Sequence, residues 1–424
     1  MLTISESRLS PRHTIALVMA GGRGKRLMDL TDHYSKPGLD FGGKYRIIDF
    51  TLSNCVNSGF RRIMVLTQYN SHRLLQHLQL GWTFLAGNLN EYVHVLPAHQ
   101  SMDKNAWYSG TADAVYQNIG SIQSANPKTV LILAGDHVYR MDYKIFLQDH
   151  LNNKADMTIA CLEVPRLAAR GFGIAQVDGE DRIISFVEKP EDPPAVPGKP
   201  DRAFASMGIY LFNAEFLYKA LQRDAEDPDS GHDFGKDIIP KLVHEASIFA
   251  HRFERSCIPN EGHPEPYWRD VGGVDSYWEA NMDLTTVHPA LNLYDTAWPI
   301  TTHQEQLPPA KFVHAGEMRN GVALSSLVSG GCIISGAHVH HSLLSSRVSI
   351  HSHARLDGAL VLPDCDIGRK ARLKRCILAR GCRIPNGLVV GEDPEEDARR
   401  FVRTAGGVTL ISQPMLDRLS RPER

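Results

Sequence analysis

Apolar residues in the last quarter of the chain recur six positions apart: Ile350, Leu356 and Leu362, then Val361, Ile367 and Leu373, then Leu378, Ile384 and Val390. Gly, Ser, Asp and His fill the intervals. A helix repeats near 3.6 residues and a strand at 2, so a period of six fits neither. It marks a parallel β-helix, left- or right-handed, whose coils turn one apolar residue inward per side and stack on their neighbours. Ordinary short hairpins are the rival, but the phase restarts at turns instead of alternating. The pattern begins near Phe312.

Upstream the texture is different. Ile15–Ala20, Arg62–Thr67, Thr129–Ala134 and Ser206–Phe212 read as buried strands, and 173–177 with 182–187 as a hairpin around an Asp-Gly-Glu-Asp turn. Helices are predicted near 70–80 (Leu74, Leu75 and Leu78 on one face), at 112–119 with Thr111 as N-cap, and at 143–151, 215–223 and 234–245. The proline-rich stretch 190–200 is a loop. Strands alternating with helices predict an α/β layered domain with a Rossmann-like, mostly parallel sheet.

At 424 residues the chain has room for two or three domains, and 42% apolar with 22% charged residues is ordinary globular usage. A formal net charge of −2 gives no global reason to expect nucleic acid or a membrane surface as partner. Seven cysteines form no C-x-x-C pair, the N-terminus has no apolar signal core, and no 18-residue apolar run occurs. The expectation is a cytoplasmic protein with reduced thiols.

The run Ile15–Ala20 delivers Gly21, Gly22 and Gly24 to a tight loop, ringed by Arg23, Lys25, Arg26 and, further on, Lys36. Glycines bring backbone N–H groups close to a ligand, so the loop reads as a phosphate cradle. It is not a Walker loop, because Arg26 follows Gly24-Lys25, nor the dinucleotide fingerprint, because Leu27 stands where a third glycine belongs. Asp136, after the strand ending at Ala134, and Asp270, in Tyr267-Trp-Arg-Asp-Val-Gly-Gly273, are carboxylates at strand ends. Such a pair suits Mg²⁺, although each also reads as a turn cap. Lys189 closes the hairpin as a point charge for a sugar phosphate. Tyr108 precedes Gly110 and a helix N-terminus expected to offer free N–H groups.

These motifs, in this order, resemble the sugar nucleotidyltransferases, and more closely the bacterial glucose-1-phosphate adenylyltransferases. The resemblance rests on Ala20-Gly-Gly-Arg-Gly-Lys-Arg-Leu27, Ser35-Lys-Pro37, Phe41–Phe50, Leu52–Gly59 and Trp107–Ala114. It continues through Ala134-Gly-Asp-His137, Phe186-Val-Glu-Lys-Pro190, Ala205–Tyr210, His232–Asp237, Tyr267–Gly272 and Ser329–Gly336. It implies a nucleotidyltransferase domain over 12–280, a linker over 281–311, and a left-handed β-helix over 312–424 serving regulation and oligomerisation.

The resemblance also implies the chemistry: AMP passes from ATP to glucose 1-phosphate, giving ADP-glucose and pyrophosphate for glycogen synthesis. Arg26, Lys36 and Asp136 would be catalytic, and Gly21, Gly22, Arg23, Gly24, Gly110 and Asp113 would hold the nucleotide. Tyr108, Gly173, Glu188, Lys189 and Ser206 would bind sugar phosphate and product, and Asp136 with Asp270 would hold Mg²⁺. A homotetramer controlled by anionic metabolites is implied, with His33, Arg46 and Arg380 as effector positions. A UTP- or dTTP-using relative and a catalytically silent regulatory paralogue are the alternatives.

Overall fold

The computed structural model describes residues 10–22, 24–68, 71–98, 108–260, 262–263, 265–316 and 319–419. The chain divides into two compact units: Met1–Gly22 with Phe50–Pro259, and Arg23–Asp49 with Asn260–Arg424.

The first unit is built on a nine-stranded sheet: β1 (Thr14–Ala20), β2 (Arg62–Thr67), β3 (Tyr92–Pro97), β4 (Thr129–Ala134), β5 (Met157–Pro165), β6 (Gly173–Val177), β7 (Ile183–Glu188), β8 (Arg202–Asn213) and β9 (Ile248–Arg252). The order is β7-β6-β8-β4-β1-β2-β3, and β5 pairs with both β8 and β9. The run β4-β1-β2-β3 is parallel, and β8 joins it antiparallel beside β4. Ile15, Ala16, Leu17 and Val18 are all fully buried. A strand covered on both faces reads as a continuous apolar run, which is why β1 is so plain in the sequence.

Helices α1 (Ile47–Asn57), α2 (His72–Gly81), α3 (Thr111–Gln117), α4 (Tyr143–Asn152) and α5 (Ala214–Ala225) accompany the sheet. Two helical expectations need correction. The predicted 112–119 helix breaks at Asn118, and its N-cap is Gly110, not Thr111. The predicted 234–245 helix is a π turn at Phe234–Ile238 followed by only Ile239–Leu242. Asp233 sets the π turn by accepting from the N–H groups of Gly235 (3.0 Å) and Lys236 (3.1 Å).

The second unit contains the stacked parallel coils. Three apolar columns run through it: Ile334–Ile350–Ile367–Ile384, Val339–Leu356–Leu373–Val390 and Leu344–Val361–Leu378–Ile411. The strict six-residue spacing is corrected here. Column partners Ile350, Ile367 and Ile384 lie 17 positions apart, so one side of those coils is a residue short, and Ile334 with Ile350 lie 16 apart, so two sides are short there. Leu362 is buried but lies one place past the column residue Val361. Every corner contains a left-handed residue: His341, Gly358 and Arg375 at the first, Arg347, Asp364 and Gly381 at the second, His353, Lys370 and Gly387 at the third. Positive φ outside glycine is uncommon, and here the stacking on both sides imposes it.

The rest of this unit packs around helix α6 (Val274–Asp283). Trp278 Nε1 donates to Gly358 O (2.9 Å), Asn281 Oδ1 accepts from Gly42 N–H (2.9 Å), and Tyr277 OH donates to Asp40 O. Residues 284–310 carry no helix or strand. Near the C-terminus, α7 (Pro394–Arg400) and α8 (Gln413–Leu419) flank a short antiparallel pair, Val402–Arg403 with Thr409–Leu410. Among the described residues no helix is long and apolar enough to cross a membrane.

Candidate functional site

In the first unit, β1 and β2 present the glycine turn. With its amide nitrogen facing Gly21, Gln68 donates to Gly21 O (3.2 Å) and accepts from Tyr108 N–H (3.2 Å). A Cβ on Gly21 would stand 3.1 Å from Gln68 Cβ, so the approach is made possible by glycine. Gln68 was missed in the sequence because its partners are distant along the chain. Gly22 has open space around it. The expectation for Arg23 falls outside the described residues.

Asp136 follows β4. Gly135 N–H donates to Met19 O (3.0 Å), and a Cβ there would lie 2.9 Å from that oxygen. The turn is braced by buried polar groups of α1. Thr51 Oγ1 donates to Ala134 O (3.0 Å), and Asn54 donates to Tyr139 O (3.1 Å) while accepting from Met141 N–H (3.2 Å). Buried side chains that satisfy backbone groups fix a turn tightly, which is the physical content of the Leu52–Gly59 motif. The Asp136 carboxylate is 31% exposed and 3.6 Å from His137 Nε2.

The α3 end departs from expectation. Its N–H groups are not free, because Ala112 (2.9 Å) and Asp113 (3.3 Å) both donate to His232 O. A Cβ on Gly110 would sit 2.2 Å from the same oxygen. Thr111 Oγ1 donates to Asp233 Oδ2 (3.0 Å), and Asp113 accepts from Ser109 N–H (2.8 Å). Tyr108 OH accepts from Asn118 Nδ2 (3.0 Å), and burial raises its pKa above the ordinary phenol value.

Gly173 begins β6 and Glu188 ends β7, while Ser206 lies inside the adjacent strand β8. Gly173 pairs with Glu188 across the β6–β7 hairpin, and Ile174 pairs with Ala205 of β8. A Cβ on Gly173 would lie 2.7 Å from Glu188 Oε2, and one on Gly235 would lie 2.6 Å from the same atom. Glu188 is thus held between two glycines, and Gly235 is a further residue that sequence reasoning did not single out. Lys189, in a left-handed conformation, places Nζ 2.8 Å from Glu188 Oε1 with its side chain 63% exposed. Ser206 precedes a bulge in β8 where Gly208 has φ +67°, and its hydroxyl accepts from Gly208 N–H (3.2 Å).

In the second unit, Gly24 (φ +60°) opens a 3₁₀ segment, Lys25–Thr31. Thr31 Oγ1 donates to Gly24 O (3.1 Å). Lys36, nearly buried, places Nζ 2.5 Å from Asp270 Oδ1, and Arg26, largely exposed, lies 3.7 Å from Asp270 Oδ2. Two cations and one carboxylate thus form a compact anion-receptive group. Among the effector candidates, Arg380 bridges Asp40 (2.9 Å) and Asp364 (2.7 Å). Burial opposes its charge, but Asp40, Tyr34 and Asp364 together outweigh burial and its pKa is raised. Arg46 donates to Gly38 O, and His33 is exposed.

Comparison with known proteins supplies the context. Residues 15–287 match the nucleotidyl transferase family model, and 308–411 match the GlmU-like C-terminal hexapeptide model. A glucose-1-phosphate adenylyltransferase of Paramagnetospirillum magneticum is 58% identical over 96% of this chain and 94% of its own length. One of Dechloromonas aromatica is 56% identical over 96% and 92%, and one of Gemmatimonas aurantiaca 56% over 99% and 100%. The α/β sheet followed by parallel hexapeptide coils is the architecture these models describe. The chain belongs to the glucose-1-phosphate adenylyltransferase family of nucleotidyltransferases.

Proposed function

We propose that this protein transfers AMP from ATP to glucose 1-phosphate, releasing pyrophosphate and forming ADP-glucose for glycogen synthesis. The observation that carries the reading is identity of 56–58% over nearly the whole chain to relatives bearing that name. It is supported by cationic Arg26 and Lys36 beside Asp270, and by the Gly173–Glu188 pair beside the part of β8 that carries Ser206.

The nucleophile is a phosphate oxygen of the sugar phosphate, already an anion, so no general base is required. It attacks the α-phosphorus in line with departing pyrophosphate. The protein's part is to bring two anions together and to stabilise charge on the transferring group. Arg26 and Lys36 neutralise the triphosphate, and Gly21, Gly22, Arg23, Gly24, Gly110 and Asp113 shape its seat. Tyr108, Gly173, Glu188, Lys189 and Ser206 hold the glucose 1-phosphate portion. Asp136 and Asp270 supply the hard oxygen donors that suit a divalent cation, Mg²⁺, which when bound screens phosphate charge.

We assign the coils to regulation and to assembly as a homotetramer. Arg46, Arg380 and His33 are candidate effector positions for anionic metabolites. The occupied state of Arg380 means that an anion there must compete with Asp40 and Asp364. Seven free cysteines fit a reducing cytoplasm.

The test is pyrophosphate release with glucose 1-phosphate, Mg²⁺ and ATP, UTP, dTTP, CTP or GTP in turn, with and without fructose phosphates and pyruvate. Release with ATP, lost by roughly a hundredfold or more in Asp136→Asn with the fold intact, is the expected result. Release with UTP or dTTP alone moves the protein to another sugar nucleotide. Silence under every condition makes it a regulatory paralogue.

A further inference from the structure

His232 occupies an unusual position. Its backbone is left-handed, with φ +55°. Its side chain lies in a closed ring of hydrogen bonds: Nδ1 to Asp224 Oδ2 (2.8 Å), Ser230 Oγ to Asp224 Oδ1 (2.6 Å), and His232 N–H to Ser230 Oγ (3.0 Å). Asp224 is 7% exposed in the last turn of α5. A buried carboxylate at a helix C-terminus faces both desolvation and the negative end of the dipole. Its presence there is a local rule broken, and such breaks concentrate at functional sites.

The ring fixes a backbone that reaches in two directions. On one side, His232 O receives the N–H groups of Ala112 and Asp113 and leaves no room for a side chain at Gly110. On the other, Asp233 holds Gly235 and Lys236 through their N–H groups, and a Cβ at Gly235 would meet Glu188 Oε2 at 2.6 Å. The π turn between them is itself a rare element that favours functional sites. Thr111 and Asp233 tie the two sides together (3.0 Å).

We infer that His232, held by Asp224 and Ser230, is a positioning residue that sets the Tyr108–Asp113 segment against the Glu188–Lys189 segment. It thereby couples the nucleotide and sugar-phosphate contacts assigned above. The inference rests on that assignment for its kinetic form only.

Two substitutions separate its parts. His232→Asn keeps a donor toward Asp224 and a residue type that tolerates positive φ. His232→Gly keeps the backbone freedom and deletes the donor. The asparagine variant is expected to match wild type within twofold. The glycine variant is expected to raise KM for ATP and for glucose 1-phosphate together by about tenfold, with kcat changed less than threefold. Ser230→Ala, which removes the acceptor of the His232 N–H and the donor to Asp224 but keeps the histidine side chain, is expected to follow the glycine variant and serves in its place should that one not fold.

A lowered thermal midpoint with both KM values unchanged reduces the residue to a structural role and overturns the inference. A rise in one KM alone overturns the coupling. Hydrogen exchange gives a readout independent of activity: the Ala112, Asp113, Gly235 and Lys236 amides should lose protection together in His232→Gly and keep it in His232→Asn. Wild-type protein that releases no pyrophosphate sinks the proposed activity, while unchanged exchange in His232→Gly sinks the positioning role.

Discussion

Lys36 Nζ stands 2.5 Å from Asp270 Oδ1, with the lysine side chain only 6% exposed and the aspartate 21%. The pair joins residues 234 positions apart. Removing the ammonium leaves Asp270 with Arg26 at 3.7 Å. Lys36→Ala is therefore expected to cost about 3 kcal/mol of stability in urea denaturation, as breaking a largely buried pair does. Activity is expected to fall roughly a hundredfold. Lys36→Arg should not restore it, because a planar fork does not occupy the site of a compact ammonium.

Lys189 makes a different prediction. Its side chain is mostly in solvent, and its partner Glu188 Oε1 is 2.8 Å away, so its loss should leave the thermal midpoint within a degree or two of wild type. In the proposed reaction its charge serves the sugar phosphate. Steady-state kinetics on Lys189→Ala should show a raised KM for glucose 1-phosphate with the ATP KM unmoved. A shift in the ATP KM alone would reverse the assignment.

His150, in α4, gives a pH signature. Burial pushes its pKa down from 6.5 to about 4, against weaker opposing effects of Asn213 and Asp156. Its ring contacts Thr158 Oγ1 (2.8 Å) and Asn213 Oδ1 (3.3 Å), an arrangement suited to the neutral form with the proton on Nε2. The unfolded chain binds a proton near 6.5 and the folded chain only near 4. Stability is therefore unaffected by this group above pH 6.5 and declines as pH falls from 6.5 to 4, by about 3 kcal/mol in all. Urea denaturation at pH 7 and pH 4.5 should show this fall in wild type and a smaller one in His150→Gln.

These residues also show where sequence reasoning succeeds and where it stops. β1 was legible because burial on both faces leaves an unbroken apolar run, and the columns of the coils were legible because each side contributes one inward residue. The shortened side escaped notice because Leu362, beside Val361, kept the six-residue count while lying off the column. Thr111 has the residue type of a cap, but capping at α3 was decided by His232 O, which lies 120 positions away in sequence. Gln68 and Gly235 also act through partners far along the chain, Gly21 and Tyr108 for the first and Glu188 for the second, whereas Asp224 acts on its near neighbours Ser230 and His232.

The coil stack has an end, and its construction bears on the molecule's association with itself. Parallel coils present the same ladder of N–H and C=O groups at each end, so an uncovered end is a template for adding more strand, from this chain or any other. Here the register passes from Leu378 to Ile411, then the antiparallel Val402–Arg403 pair reverses direction, and α8 lays Met415 and Leu416 into the core. The last turns of the chain act as a stopper. A further strand could add at this end of the stack only by displacing the reversed pair and α8.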